Sequence, residues 1–189
     1  MNQLQKTQQG GVSSTDASGD QHQYLTFQIG KEMFAVGILH IREIIEFGNL
    51  TTVPMMPGFV RGVINLRGSV VPVIDLAARF GRGESAINRR SCIVILEVES
   101  SGDENNDGHE SLQEVGVIVD AVSEVLEIPP TEIEPAPSFG ARIRSDFIAG
   151  MGKVQGRFVI MLNVQNALNV QEMAELASVV DSLEHGRAS

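Results

Sequence analysis

Several residue types that would support particular functions are scarce in this chain. Of its 189 residues, Cys92 is the only cysteine, Tyr24 is the only tyrosine, and tryptophan is absent. A single thiol excludes an internal disulfide bond and fits a reducing, cytoplasmic location. With 42% apolar residues the chain can still bury a core. That core must be built mainly from aliphatic side chains and a few phenylalanines.

Positive charge is also scarce. The chain has 14 lysines and arginines against 24 acidic residues, a net charge of -10. This balance argues against binding to nucleic acid or docking on anionic lipid, which both need basic residues. No apolar run approaches the ~20 residues of a membrane span. The first residues lack the apolar segment of a signal peptide, so we expect none.

Motifs of known enzyme classes are missing as well. The four histidines are scattered without metal-ligand spacing, and the sequence has no nucleophile elbow, phosphate-binding loop or metalloprotease motif. Cys92 lies among isoleucine and valine, which indicates a buried and inert thiol. We therefore expect a protein without catalytic activity and without a cofactor.

The most informative stretch spans residues 62–76 and reads GVINLRGSVVPVIDL. Runs rich in valine and isoleucine flank Arg67-Gly68, which predicts a β-hairpin with the arginine at its tip. Gly68 can adopt the positive φ that such a turn needs. Pro72 cannot donate a backbone hydrogen bond, so we expect the second arm to lie at a sheet edge or to carry a bulge.

This pattern occurs twice in the chain. Residues 147–164 repeat residues 59–76 at an offset of 88 without a gap. Upstream, residues 115–127 repeat residues 34–46 at an offset of 81. Because both blocks recur in the same order, we infer an internal duplication.

The two copies differ in charge near the hairpin tip. Arg67 aligns with Gln155, and Arg61 aligns with Ala149, so both cations belong to the first copy alone. An exposed arginine beside apolar surface is a frequent anchor of protein interfaces. Glu43 is a candidate partner for Arg67.

Short β-branched runs separated by glycine and proline turns predict a mostly-β protein. Each copy has about five strands, enough for a small closed or half-closed barrel, and two such barrels would pack side by side. Residues 38–45 fit either a short helix or a strand. An apolar period near 3.6 predicts a C-terminal helix, with Asn163 or Asn169 as its N-cap. The expected divisions are a disordered tail at 1–22, a first subdomain at about 23–85, a second at about 86–165, the helix at about 165–180 and a frayed tail at 181–189.

One acidic stretch, residues 99–114, contains a metal-binding pattern. Its spacing satisfies D-x-[DN]-x-[DN]-G-x5-E, the pattern of the EF-hand calcium loop. Predicted strands flank it where an EF-hand has helices, so we interpret it as a solvated hairpin loop. Weak calcium binding is the alternative. The candidate ligands are Asp103, Asn105, Asp107 and Glu114.

The motifs resemble those of CheW-type chemotaxis coupling proteins over about residues 23–180. The segments that carry the resemblance are NLRG at 65–68, V-x-PVIDL at 70–76, VGVIVDAVSEVLEI at 115–128, IEPAPSF at 133–139, FIAGMGK at 147–153 and ILHIREII at 38–45. The resemblance implies two five-stranded SH3-like β-barrels without catalytic activity. It also implies a cytoplasmic adaptor, recruited to membrane-associated arrays, that couples chemoreceptors to the regulatory domain of the histidine kinase CheA.

The resemblance assigns residues to both partners. The implied receptor-facing groove includes Ile41, Glu43, Gly62, Arg67, Val122 and Val125. An Arg67–Glu43 ion pair is implied by the same analogy. Kinase contacts would lie at the ends of the barrels, with Phe139 as the principal residue. Glu134 stands where family members often carry a basic residue, so the charge of that contact differs here.

Two alternatives stay open at this point. The chain could be a coupling protein of a related chemosensory pathway outside motility. It could instead be a calcium-responsive or enzymatic β-barrel protein that uses Asp103, Asp107 and Glu114. The absence of any other cluster of acids, bases or nucleophiles counts against the second alternative.

Overall fold

The computed structural model describes residues 19–100, 111–137, 143–169 and 171–175. The predicted tails, apart from residues 19–22, lie outside these ranges. None of the helices in the described ranges is long and apolar enough to cross a membrane. The strands are β1 Gln23–Ile29, β2 Glu32–Gly37, β3 Ile41–Glu46, β4 Val60–Leu66, β5 Ser69–Asp75, β6 Cys92–Ser100, β7 Ser111–Val119, β8 Ala121–Glu127, β9 Ile133–Glu134, β10 Ile148–Val154 and β11 Arg157–Leu162.

The strands form two sheets, in agreement with the predicted mostly-β fold. The six-stranded sheet has the order β8-β1-β2-β11-β10-β9, and the five-stranded sheet has the order β3-β6-β7-β5-β4. Apart from the two-residue β9, the two orders are equivalent when the strands of one copy are matched to those of the other. The duplication inferred from the sequence is therefore visible in the topology.

The copies are interleaved rather than separate. Strands β1 and β2 belong to the six-stranded sheet with the later strands of the second copy, whereas β6 and β7 belong to the five-stranded sheet with those of the first copy. Parallel pairs, β2 with β11 and β5 with β7, join the exchanged strands to their hosts. The expected boundary near residue 85 therefore does not separate the two sheets. A sequence repeat shows which strands are equivalent, but it does not show whether a strand pairs within its own copy or with the other copy.

Both hairpin turns have the same conformation. Arg67 and Gln155 have φ of 51° and 49°, and the glycines that follow them have φ of 87° and 76°. Positive φ at both central residues is the signature of a type I′ turn, which matches the twist of the flanking strands. The predicted glycine at the tip is thus required, and the residue before it is left-handed as well.

A short helix follows each hairpin: α1, Leu76–Arg79, follows the first, and α2, Val164–Ala167, follows the second. Where one long C-terminal helix was predicted, the described chain has two helical segments, α2 and a run at 171–175. Both proposed caps are used, because Asn163 accepts a hydrogen bond from the Asn166 backbone and Asn169 accepts one from the Glu172 backbone. The second cap interrupts the helix expected at about 165–180, of which residues 176–180 lie outside the described residues.

Three other local expectations can be compared with the structure. Residues 38–40 form a 3-10 turn and 41–46 a strand, so both readings of that segment were partly right. The acidic loop is shorter than expected, since β6 reaches Ser100 and β7 begins at Ser111. The arm that contains Pro72 was expected to lie at a sheet edge or to carry a bulge, and the register shift of the β4–β5 pair falls instead on β4, between Val60 and Gly62. Strand β5 lies inside its sheet, and its pairing with β7 begins at Val73, beyond the proline.

The main core contains residues of both sheets. Four phenylalanines cross it, with ring centroids 6.1 Å apart for Phe27 and Phe34, 5.3 Å for Phe34 and Phe80, and 6.2 Å for Phe80 and Phe147. A smaller cluster lies on the other face of the five-stranded sheet. Its buried members are Val71, Val73, Ile93, Ile95 and Ile118. The five-stranded sheet is therefore apolar on both faces.

Candidate protein-binding site

The tip of the β4–β5 hairpin presents Arg67 to solvent. Its side chain is 68% exposed. The Asn65 side chain accepts a hydrogen bond of 3.0 Å from the Gly68 backbone and stabilises the turn. The hairpin therefore holds one cation at a fixed place at the end of the five-stranded sheet.

Arg67 donates a hydrogen bond to Glu43, as the implied ion pair requires. Glu43 lies on β3 and Arg67 follows β4, and these are the two edge strands of the five-stranded sheet. The pair thus brings opposite edges of one sheet together, which means that the sheet is curled. The hydrogen bond and charge of Glu43 raise the pKa of the Arg67 guanidinium above its ordinary value. Arg67 is accordingly a permanent cation.

Gly62, which the resemblance assigns to the receptor-facing groove, lies within β4. It is buried beside a β-bulge in β4, with φ of 149°. A Cβ at this position would lie 2.4 Å from the Thr51 backbone oxygen. Thr51 and Val63 exchange backbone hydrogen bonds across this close approach. Gly62 therefore shapes the edge of the sheet that carries Arg67.

The three apolar residues of the predicted groove differ in exposure. Ile41 on β3 and Val122 on β8 are half-buried and pack against the same main core. Val125, also on β8, is 52% exposed. Of the predicted groove residues, Arg67 and Glu43 contact each other directly, whereas Ile41 and Val122 are connected only by packing against the same core. Val125 lies on the same strand as Val122.

The residues assigned to kinase contact are only partly described. Phe139 lies outside the described residues. Glu134 is exposed on β9 and lies opposite Met151 of β10. No ion pair to Glu134 is found within the described part of the chain.

The calcium-loop candidates divide in the same way. Asp103, Asn105 and Asp107 lie outside the described residues. Glu114 belongs to β7, where its Oε1 lies 3.7 Å from Nε of Arg42. Among the described residues, no three histidine, cysteine or acidic side chains are grouped as metal ligands would be. The structure thus assigns Glu114 to an ion pair within the five-stranded sheet.

A buried ion pair near the hairpin was missed by sequence reasoning. Asp75 is fully buried, and its carboxylate accepts hydrogen bonds from the Arg61 guanidinium at 2.9 Å and from Ser85. It also caps α1 by accepting from the Ala78 backbone. Arg61 is therefore engaged internally and is not part of a cationic tip with Arg67. The comparison of copies held the signal, because the second copy has neutral residues at both positions.

A second missed feature joins the two copies. The Arg79 guanidinium lies 4.8 Å from the ring centroid of Phe59 and 4.7 Å from that of Phe147, which are equivalent residues of the duplication. Its Nε donates to the Ala167 carbonyl oxygen at 3.0 Å, and Glu172 pairs with it at 3.3 Å. Burial lowers the pKa of Arg79, while Glu172 opposes that shift. Arg79 therefore connects the two copies by contacting the equivalent phenylalanine of each.

Cys92 is half-buried, and its Sγ donates to the Arg90 carbonyl oxygen. Burial raises the pKa of its thiol, and the nearby charge of Glu46 adds to the shift. The reactive thiolate is therefore disfavoured at neutral pH. This agrees with the interpretation of an inert thiol, although the side chain is less buried than expected.

Comparison with known proteins gives one consistent family. The family model of the CheW-like domain matches residues 23–172. The chain is 31% identical over 160 residues to the chemotaxis protein CheW of Klebsiella aerogenes, covering 85% of this chain and 89% of the relative. It is 33% identical over 146 residues to the chemotaxis protein CheW of Helicobacter pylori, covering 77% and 81%.

A solved structure extends the comparison to three dimensions. The crystal structure of the scaffolding protein TtCheW from Thermoanaerobacter tengcongensis is similar, with a TM-score of 0.67 and 30% identity. The similarity covers 82% of this chain and 91% of that one. Family model, relatives and structure agree over both sheets. The chain belongs to the CheW-like domain family.

Proposed function

We propose that this chain is a non-enzymatic adaptor of chemotaxis signalling. It would couple the cytoplasmic tips of chemoreceptors to the regulatory domain of the histidine kinase CheA. The family match over residues 23–172 carries this proposal, because it includes both sheets and both hairpins. Relatives named as chemotaxis proteins and a solved relative named as a scaffolding protein support the same role.

Receptor binding would use the surface around the Arg67 hairpin. Ile41, Val122 and Val125 supply apolar area for a helical receptor tip, while Arg67 supplies a charge-assisted hydrogen bond. Arg67 keeps 68% of its side chain exposed while paired with Glu43. A guanidinium has five N–H donors, so it can hold Glu43 and still donate to a receptor.

Kinase binding would use other strands of the molecule. Glu134 lies on β9, at one edge of the six-stranded sheet, whereas Val122 and Val125 lie on β8 at its other edge and Arg67 belongs to the five-stranded sheet. These different strands support simultaneous binding of both partners. Together with Phe139, Glu134 would form the kinase contact. The adaptor would act in the cytoplasm and reach the membrane only through its receptors.

The first test reverses the charge at the hairpin tip. Arg67→Glu should weaken binding of a receptor cytoplasmic fragment at least about tenfold, since a hydrogen bond to a charged group contributes roughly 1.5–3 kcal/mol. Binding of the CheA regulatory domain should be unchanged. Both affinities can be measured by calorimetry on the same protein preparation.

A double variant separates contact from scaffold. Arg67→Glu combined with Glu43→Arg keeps an ion pair between the sheet edges but presents the opposite charge to the receptor. We expect it to recover thermal stability without recovering receptor affinity. Recovery of receptor affinity would show that the pair only closes the sheet, and Arg67 would then not be a receptor contact.

A further inference from the structure

A cavity of about 600 Å³ opens on the six-stranded sheet. Its walls combine apolar side chains with polar groups, and Phe158 beside it is 54% exposed although the chain has few aromatic residues. The lining includes Gln28, Lys31, Met33, Ser123, Glu124, Leu126, Met151, Gln155, Arg157 and Val159.

Strand register shows which residues of the two sheets are equivalent. Leu96 lies opposite Ile41 in the five-stranded sheet, and Phe27 lies opposite Val122 in the six-stranded sheet. The repeat aligns Ile41 with Val122, so the neighbouring residues correspond as well. The equivalent pairs are Arg42 and Ser123, Glu43 and Glu124, Glu97 and Gln28, Glu114 and Met33, and Arg67 and Gln155.

In the five-stranded sheet, ion pairs between side chains connect the strands at the equivalent position. The Nε atom of Arg42 lies 3.1 Å from Glu97 and 3.7 Å from Glu114, and Arg67 pairs with Glu43. These contacts connect β3 to β6 and β7, and to the tip of the β4–β5 hairpin. Behind them, the small apolar cluster fills the interior of the sheet.

None of these ion pairs has a counterpart among the described residues of the six-stranded sheet, where the Ser123 hydroxyl donates only a long hydrogen bond of 3.7 Å to the Met33 sulfur. Ser123 stands in place of Arg42, and Gln155 in place of Arg67, so both cations are lost. Glu124 keeps its carboxylate, and the described residues show no ion pair to it. All of the replacements line the cavity. The cavity therefore lies at the position where ion pairs close the five-stranded sheet and where the described residues of the six-stranded sheet hold no counterpart of them. We call this cavity the seam.

We propose that this seam binds an extended peptide segment of a partner protein. Strand β8 forms one edge of its sheet and offers free backbone groups for strand addition. An apolar side chain of the segment would enter between Leu126, Met151 and Val159. A basic side chain would pair with Glu124, replacing the cation that Arg67 supplies in the first copy. Strand β8 also carries Val122 and Val125, so a segment added at this edge would lie beside the proposed receptor contacts.

Two cations that line the cavity give the segment a second requirement. Lys31 and Arg157 line the cavity, and no ion pair to either is found among the described residues. The parallel pairing of Ile160 with Phe34 places Lys31 and Arg157 at the same end of neighbouring strands. An acidic residue of the segment would meet them. The expected pattern is apolar residues flanked by one basic and one acidic residue.

The test selects peptides that need the seam to be open. A displayed library of random peptides is selected on the full-length chain, and binders are then measured by calorimetry against variants. Gln155→Arg should restore the tie to Glu124 and reduce affinity at least about tenfold. Arg67 adopts the same turn conformation, so the turn accepts arginine. Glu124→Lys, which removes the anchoring carboxylate, should cause a similar loss.

Gln171→Arg is the matched control, because it makes the same substitution at an exposed residue outside the cavity. It should leave peptide affinity unchanged. Enriched peptides should show the charged and apolar pattern described above. Failure to enrich peptides, or selected peptides that bind Gln155→Arg and Glu124→Lys as tightly as the unchanged chain, would overturn the proposal.

Discussion

Single residues distinguish the two copies more sharply than any element does. Asp75 is buried and paired with Arg61, whereas the equivalent positions hold Asn163 and Ala149. Both Asp75 and Asn163 cap the short helix that follows, so capping alone does not require a charge. The charge in the first copy serves the ion pair and the two hydrogen bonds from Ser85.

This difference predicts how the buried pair responds to substitution. Asp75→Asn should lower the free energy of unfolding by roughly 3 kcal/mol, because it removes the buried carboxylate that pairs with Arg61 and leaves that cation only the longer contact with Glu84 at 3.6 Å. Adding Arg61→Ala reproduces the second copy at both positions and should recover part of the loss. Denaturant unfolding measures both values. A double variant less stable than Asp75→Asn would contradict this account.

At the scale of elements, the short helices and hairpins meet around one cation. Arg79 of α1 lies between Phe59 and Phe147 and donates to the last residue of α2. Arg144 approaches Phe147 as well, at 4.5 Å, but its side chain is 52% exposed. The contact of the buried Arg79 with the rings should therefore stabilise the fold more than the contact of the exposed Arg144.

Conservative substitution separates these two arginines. Arg79→Lys should cost about 2 kcal/mol of unfolding free energy, since an ammonium cannot reproduce the planar contacts with both rings and the bond to Ala167. Arg144→Lys is the matched control and should cost about 0.5 kcal/mol because solvent screens its contacts. Thermal unfolding of both variants provides the comparison. Equal losses would show that burial of Arg79 adds nothing.

At the scale of the whole molecule, the sequence predicts the repeat but not its interleaving. Hydrophobic runs and turn residues indicate the two hairpins, and their alignment predicts equivalent turns at Arg67 and Gln155. The exchange of β1 and β2 with β6 and β7 depends on long-range pairing, which local patterns do not encode. Sequence analysis could name Glu43 only as a candidate partner for Arg67, and the ion pair itself followed from the family resemblance, because the two residues lie on different edge strands.

The seam in the six-stranded sheet could not be predicted from the sequence for a related reason. Arg67 and Gln155 were recognised as a difference between copies, but the meaning of this difference depends on Glu43 lying beside Arg67 and on Glu124 and Gln155 lining one cavity. The interleaved fold gives each copy a separate version of the same site. One version is closed by its own side chains, and the other is open to a partner.

Binding of the full-length chain to the regulatory domain of a CheA kinase from the same cell is the most direct test of the adaptor function. A pull-down at moderate salt, repeated with a receptor cytoplasmic fragment present, is the measurement. We predict that the kinase domain is retained alone and that both partners are retained together. Failure to retain any such kinase domain would contradict the adaptor function, even though membership of the CheW-like family would stand.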